Sequence, residues 1–192
     1  AALPSEYSKD GVVYKGLLKT ATETGSSLTI ADAFGNATET FTRSFYTINA
    51  IGQAKVRYVL SRIENTGTYD GKAFTQGALI DGSTVTQQSQ TITDSDLLTE
   101  LRAAGILDDT ENTIKGSIVR YDYESNYKIK SAQELVSSKV TTTDIFDNAT
   151  TQVTHNTSYI VTENGQAKVK TATTEVTSMT LMDGSEFVDS TI

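Results

Sequence analysis

The sequence predicts an all-β fold in which two duplicated antiparallel β-meander modules form a sandwich-like domain, with one short helix in the segment that connects them. Three observations lead there. Threonine and serine number 32 and 18 in a chain of 192 residues with one proline and no tryptophan, and β-branched threonine suits a pleated, half-exposed surface. Alternating polar and apolar runs recur between turns that carry Gly and Asn. The chain also repeats itself over a long period, a signal that outranks any local pattern.

The repeat begins with Phe34-Gly35-Asn36-Ala37-Thr38, matched 112 residues later by Phe146-Asp147-Asn148-Ala149-Thr150. Gly52-Gln53-Ala54-Lys55-Val56 returns 113 residues later as Gly165-Gln166-Ala167-Lys168-Val169. Asp70-Gly71 and Asp183-Gly184 are each followed, three residues after the Gly, by Phe74 and Phe187, and Tyr14-Lys15 matches Tyr127-Lys128. Identity over five residues, flanked by matching turns at a steady offset, marks a duplication. It divides the chain into an N-terminal arm (1–13), a first β-module (14–74), a connecting segment (75–126) and a second β-module (127–192).

Within the first module, strands are predicted at 26–33, 37–48 and 54–65. The turns between them are Phe34-Gly35-Asn36 and Asn49-Ala50-Ile51-Gly52-Gln53, whose Gly and Asn adopt positive φ cheaply. In the third strand Ala54, Val56, Tyr58 and Leu60 alternate with Lys55, Arg57 and Ser61, so one face is expected to pack, and Val56 and Val169 are expected to be equivalent and buried. Phe41 and Tyr46 are five residues apart but their counterparts Val153 and Tyr159 six, which predicts a bulge near Ser44 to Tyr46. In the connecting segment Thr93 or Ser95 is the expected N-cap of a helix. Asp96 favours its positive end, Leu97, Leu98, Leu101 and Ala104 form its apolar stripe, and Gly105 stops it. Residues 114–123 read as a further strand, and Ser131 to Ser138 fits either a helical turn or a strand.

The composition narrows the function. Without cysteine there is no disulfide scaffold, thiolate metal site or cysteine nucleophile. A net charge of −8 and an isoelectric point near 4.6 oppose nucleic acid and anionic membrane surfaces as partners. No run approaches the roughly 18 apolar residues of a membrane-spanning helix, so no membrane insertion is expected. The start Ala1-Ala2-Leu3-Pro4 lacks methionine and resembles the end left by a cleaved signal peptide, which predicts an extracellular or cell-surface location.

Residues with chemistry are sparse. The single histidine, His155, has no Gly-x-Ser-x-Gly turn beside it and is read as a solvated strand residue. Asp108, Asp109 and Glu111 form an acidic run without the spacing of a calcium loop, and no phosphate-binding glycine motif occurs. The expectation is therefore no enzyme, no cofactor and no metal. Sequons at Asn36, Asn148 and Asn156 are candidate glycosylation sites, and Tyr69, Tyr121 and Tyr123 are the aromatics a carbohydrate ligand would stack on. Two functional readings follow. The first is a secreted structural protein that self-associates into a homopolymer through strand edges, with the arm from Ala1 to Val13 added as a strand to a neighbour. The second is an extracellular carbohydrate-binding or adhesive β-module.

Overall fold

The computed structural model describes residues 6–9, 12–15, 18, 20–31, 36–69, 72–75, 84–143, 148–181 and 183–188. The arm contributes β1 (Glu6–Lys9), paired with β2 (Val12–Lys15) in a two-stranded hairpin of their own. The first meander runs β3 (Ser26–Ala31), β4 (Asn36–Ile48), β5 (Ala54–Tyr69) and β6 (Lys72–Thr75). The connecting segment adds β7 (Thr84–Gln87), β8 (Ser89–Thr91), helix α1 (Ser95–Ala103), β9 (Thr113–Lys115) and β10 (Ser117–Tyr123). β11 (Ile129–Val136) leads into the second meander, β12 (Ser138–Thr143), β13 (Ala149–Val161), β14 (Ala167–Thr180) and β15 (Glu186–Val188).

Two large antiparallel sheets result, and β8 and β9 pair by themselves. One has the strand order β11-β10-β5-β4-β3, with β6 also on β5; the other has the order β15-β14-β13-β12-β7. The fold is all-β and sandwich-like with one short helix, as the periodicity and turn chemistry require.

The duplication reappears in the topology: β3-β4-β5-β6 and β12-β13-β14-β15 are paired in the same order and sense. Their central turns agree bond for bond. Asn49 N–H donates to Gln53 O (3.0 Å) and Gly52 N–H to Asn49 O (3.0 Å); Thr162 N–H donates to Gln166 O (2.9 Å) and Gly165 N–H to Thr162 O (2.8 Å). Gly52 and Gly165 both hold positive φ, 76° and 73°. The predicted turn at 34–36 lies mostly outside the described residues, as does Asp70-Gly71.

A register slip lies near the expected place, between Phe45 and Tyr46, but the extra residue is Arg57 of β5 and the second copy leaves Lys170 extra in the same way, so this bulge is common to both copies and is not the difference in spacing that predicted it. β13 then has a further irregularity, with Asn156 and Thr157 set against Ala172, and there the offset between the copies grows by one. Burial departs from expectation at one point. Val56 is half-buried, but Val169 is 48% exposed. The two occupy the same position in the same strand, yet β10 lines β5 and no described strand lines β14 in the same way.

The deepest packing belongs to the connecting segment. Tyr58, Ile92, Leu101, Leu107, Ile114, Ile118 and Val136 form the buried core, with Leu101 and Ile118 fully enclosed. α1 lies on the first sheet because Leu97, Leu98, Leu101 and Ala104 fall on one side of it. Its N-cap is Asp94, between the two expected residues. The extended backbone there lets the carboxylate accept from Asp96 N–H (2.8 Å) and Leu97 N–H (3.0 Å). Gly105 ends the helix in a Schellman motif, with Ile106 N–H donating to Leu101 O and Gly105 N–H to Arg102 O, both 2.9 Å. The predicted strand at 114–123 breaks at Gly116 into β9 and β10, and Ser131 to Ser138 is strand, interrupted at Ser137 where the chain passes from one sheet to the other.

A polar network fastens the helix. Glu100 accepts from Tyr58 Oη (2.8 Å) and from Arg120 Nη1 with both oxygens (3.0 Å each), while Arg120 Nη2 donates to Gln133 (2.9 Å). Burial pushes the Glu100 carboxyl up, but the hydrogen bonds from Arg120 and Tyr58 outweigh it and hold the group below its ordinary value of 4.5. A depressed carboxyl adds stability that is complete above about pH 4.5 and is lost as the pH falls through its folded value. Glu100→Gln should therefore lose about 1–3 kcal/mol at pH 7. Denaturant titrations across pH 2–7 should show a shallower acid decline for this variant than for the parent.

Candidate functional site

Among the described residues the outer sides of β14 and β3 each lack a strand that their counterpart in the other copy has. In the first sheet the outer side of β5 is covered by β10, with Ser117, Ile118, Val119 and Arg120 facing Ser61, Leu60, Val59 and Tyr58. The equivalent stretch of β14 is Thr171 to Thr174. Among the described residues β14 has β13 on one side and, on the other, only β15 at Ser178 to Thr180. Lys168 through Glu175 are accordingly exposed. In the second sheet the outer side of β12 is covered by β7, but its counterpart β3 has no described strand there and exposes Leu28 (63%) and Ile30 (67%). Rows of backbone N–H and C=O on such edges invite another strand.

Beside β14 lies a polar cleft of about 400 Å³, lined by Glu134, Ser137, His155, Asn156, Ser158 and Tyr159. The extra residues of β13 build it. The bulge turns Asn156 N–H out of the ladder, and Glu134 accepts from it and from Asn156 Nδ2, both at 2.8 Å. Ser137 Oγ also donates to Glu134 (2.8 Å) and lies 2.7 Å from His155 Nδ1, while His155 Nε2 stands 3.8 Å from Glu175. His155 is thus a half-buried member of a network, not the solvated residue that its neighbours in sequence suggest.

Serine, histidine and glutamate stand in a row here, and the tautomer of the His155 ring sets whether its Nδ1 donates to the Ser137 hydroxyl or accepts from it. The arrangement is suited to holding the bulge where β11 passes into β12. Tyr159 borders the same cleft; burial first, then the nearby Glu134, pushes its hydroxyl up to about 12.

The remaining predicted residues are dispersed. Tyr121 and Tyr123 are half-buried against Val56, Val59 and Ala167 in a cleft of about 340 Å³, and Tyr123 Oη donates to Val56 O (2.7 Å). The Tyr69 and Asn36 side chains lie outside what is described. Asn148 is half-buried, and the Asn156 amide is engaged by Glu134. Asp108 and Glu111 form a turn tied by Arg102, whose Nη2 donates to Glu111 O (2.8 Å). No three acidic or histidine side chains converge on a metal position among the described residues, and no described helix is long and apolar enough to cross a membrane.

Compared with known protein families, curated proteins and solved structures, the chain matches none.

Proposed function

We propose that the chain is a secreted structural protein, a subunit or repeat segment of an extracellular filament, surface layer or surface array, and that it assembles through its β-strand edges. The observation that carries this reading is the outer side of β14, which no described strand covers at the position where β10 covers the same side of β5. β3, at the edge of the other sheet, offers a second contact, and its exposed Leu28 and Ile30 supply apolar area. The arm is a weaker candidate for the donated strand, because Glu6–Lys9 is already paired within its own hairpin. The Thr-rich, acidic surface suits a protein that works outside the cell as an exposed layer.

The alternative, a carbohydrate-binding or adhesive module, draws on the cleft at Tyr121 and Tyr123. It ranks second because both rings are half-buried and the Tyr123 hydroxyl is committed to Val56. Negative-stain electron microscopy of the intact protein over rising concentration separates the two: ordered fibres or sheets are expected, whereas dispersed single particles at every concentration would refute the structural reading.

A further inference from the structure

We infer that the open edge of β14 is completed by β14 of a second copy, antiparallel, about a twofold axis through Ala172. This deepens the edge-assembly reading and rests on it.

The argument transfers a register observed inside the chain. On β5, β10 brings more than backbone. Two residues past the Arg120–Tyr58 pair, Asp122 forms an ion pair with Arg57, the bulged residue of β5. β14 repeats that geometry 113 residues on, so Thr174, Thr173, Ala172 and Thr171 stand for Ser61, Leu60, Val59 and Tyr58. Lys170, bulged in the same way, stands for Arg57. A strand covering β14 as β10 covers β5 must therefore carry a carboxylate in Asp122's place. β3 (Ser26–Ala31) has no charged residue to offer.

β14 has one. With a second β14 laid in the position of β10, Lys170 falls where Ser117 is, Thr171 where Ile118 is, Ala172 where Val119 is and Thr173 where Arg120 is. Glu175 then falls where Asp122 is. In this register Ala172 faces the second copy's Ala172, Thr171 faces Thr173, and Lys170 of each copy meets Glu175 of the other. Thr–Thr and opposite-charge pairs across strands are favourable, and a self-complementary twofold contact is the commonest way two identical chains join. Among the described residues β15 meets this side of β14 at Ser178–Thr180, as β6 meets β5 at Thr66–Tyr69, and no described strand lies against Lys170–Glu175 there. The result is one continuous sheet across both copies. In each copy β3, at the edge of the other sheet and with no described strand on its outer side, is left for further growth.

The test is a single cysteine in a chain that has none. Residues directly opposite in an antiparallel pair have Cα atoms about 4.5–5.5 Å apart, which a disulfide spans. Ala172→Cys should form a disulfide-linked dimer under mild oxidation at least about tenfold faster than Glu163→Cys in the exposed turn. Lys170→Glu should weaken self-association about tenfold, and adding Glu175→Lys should restore it. Equal rates for Ala172→Cys and Glu163→Cys, or a charge swap that fails to restore association, would overturn the pairing. If Leu28→Cys cross-links and Ala172→Cys does not, edge assembly stands and this contact falls. If the parent protein remains monomeric throughout, both fall.

Discussion

Leu101→Ala is expected to destabilise the protein by about 2–5 kcal/mol. Leu101 is fully enclosed and lies at the centre of the cluster that joins α1 to Ile92, Leu107, Ile114, Ile118 and Val136. Those residues lie on β9, β10 and β11 and on the segments flanking α1, so the surroundings cannot close on the space by moving one element. Urea unfolding should give a lower midpoint with an unchanged slope. The same truncation at half-buried Leu98 should cost less. If Leu101→Ala loses no more than Leu98→Ala, the core does not sit under the helix.

Gly116→Ala should be at least as damaging, for a different reason. Gly116 separates β9 from β10 with φ of 117°, a conformation that costs a residue with a side chain about 1–3 kcal/mol. An added Cβ would also lie 2.3 Å from the backbone oxygen of Ser61 and 3.2 Å from Cβ of Arg62. Backbone cannot swing aside as a side chain can, so β10 must lift from β5. Gly165→Ala is the control: its φ is also positive, but nothing lies within 4 Å of the added atom. We expect a loss of about 3 kcal/mol or more at Gly116 against about 1 kcal/mol at Gly165. Hydrogen exchange at Tyr58 to Ser61 should accelerate in the first variant alone. Equal losses would mean that the approach of β10 to β5 is not tight.

Much of the meander was legible because its determinants are local. Gly52 and Gly165 close turns, the change of spacing between Phe41–Tyr46 and Val153–Tyr159 shows up as a bulge, and Leu97, Leu98 and Leu101 mark a helix face. Asp94 as cap was a miss by one position, since Thr93, Asp94 and Ser95 all have an oxygen to offer and only the backbone angle at Asp94 selects among them. What the sequence concealed is non-local. The connecting segment has no repeat to announce it, yet it supplies Ile92, Leu101, Leu107, Ile114 and Ile118 to the core. The exposure of Val169 goes with the absence of a described strand on the far side of β14 there, which no pattern within Ala167–Thr180 records. The polar cleft was hidden for the same reason: Glu134, Ser137 and His155 come together only where β11 meets β13. Its one trace in the sequence is the residue by which the copies differ, and that residue lies in the Asn156–Thr157 bulge.

The central claim is that this protein is built to be joined at its strand edges, and the most direct test is a concentration series on the intact chain. Sedimentation velocity followed by electron microscopy of the same samples should show the monomer giving way first to a dimer and then to ordered polymer as concentration rises. A single monomeric boundary at every concentration, with no ordered assemblies on the grid, would contradict it.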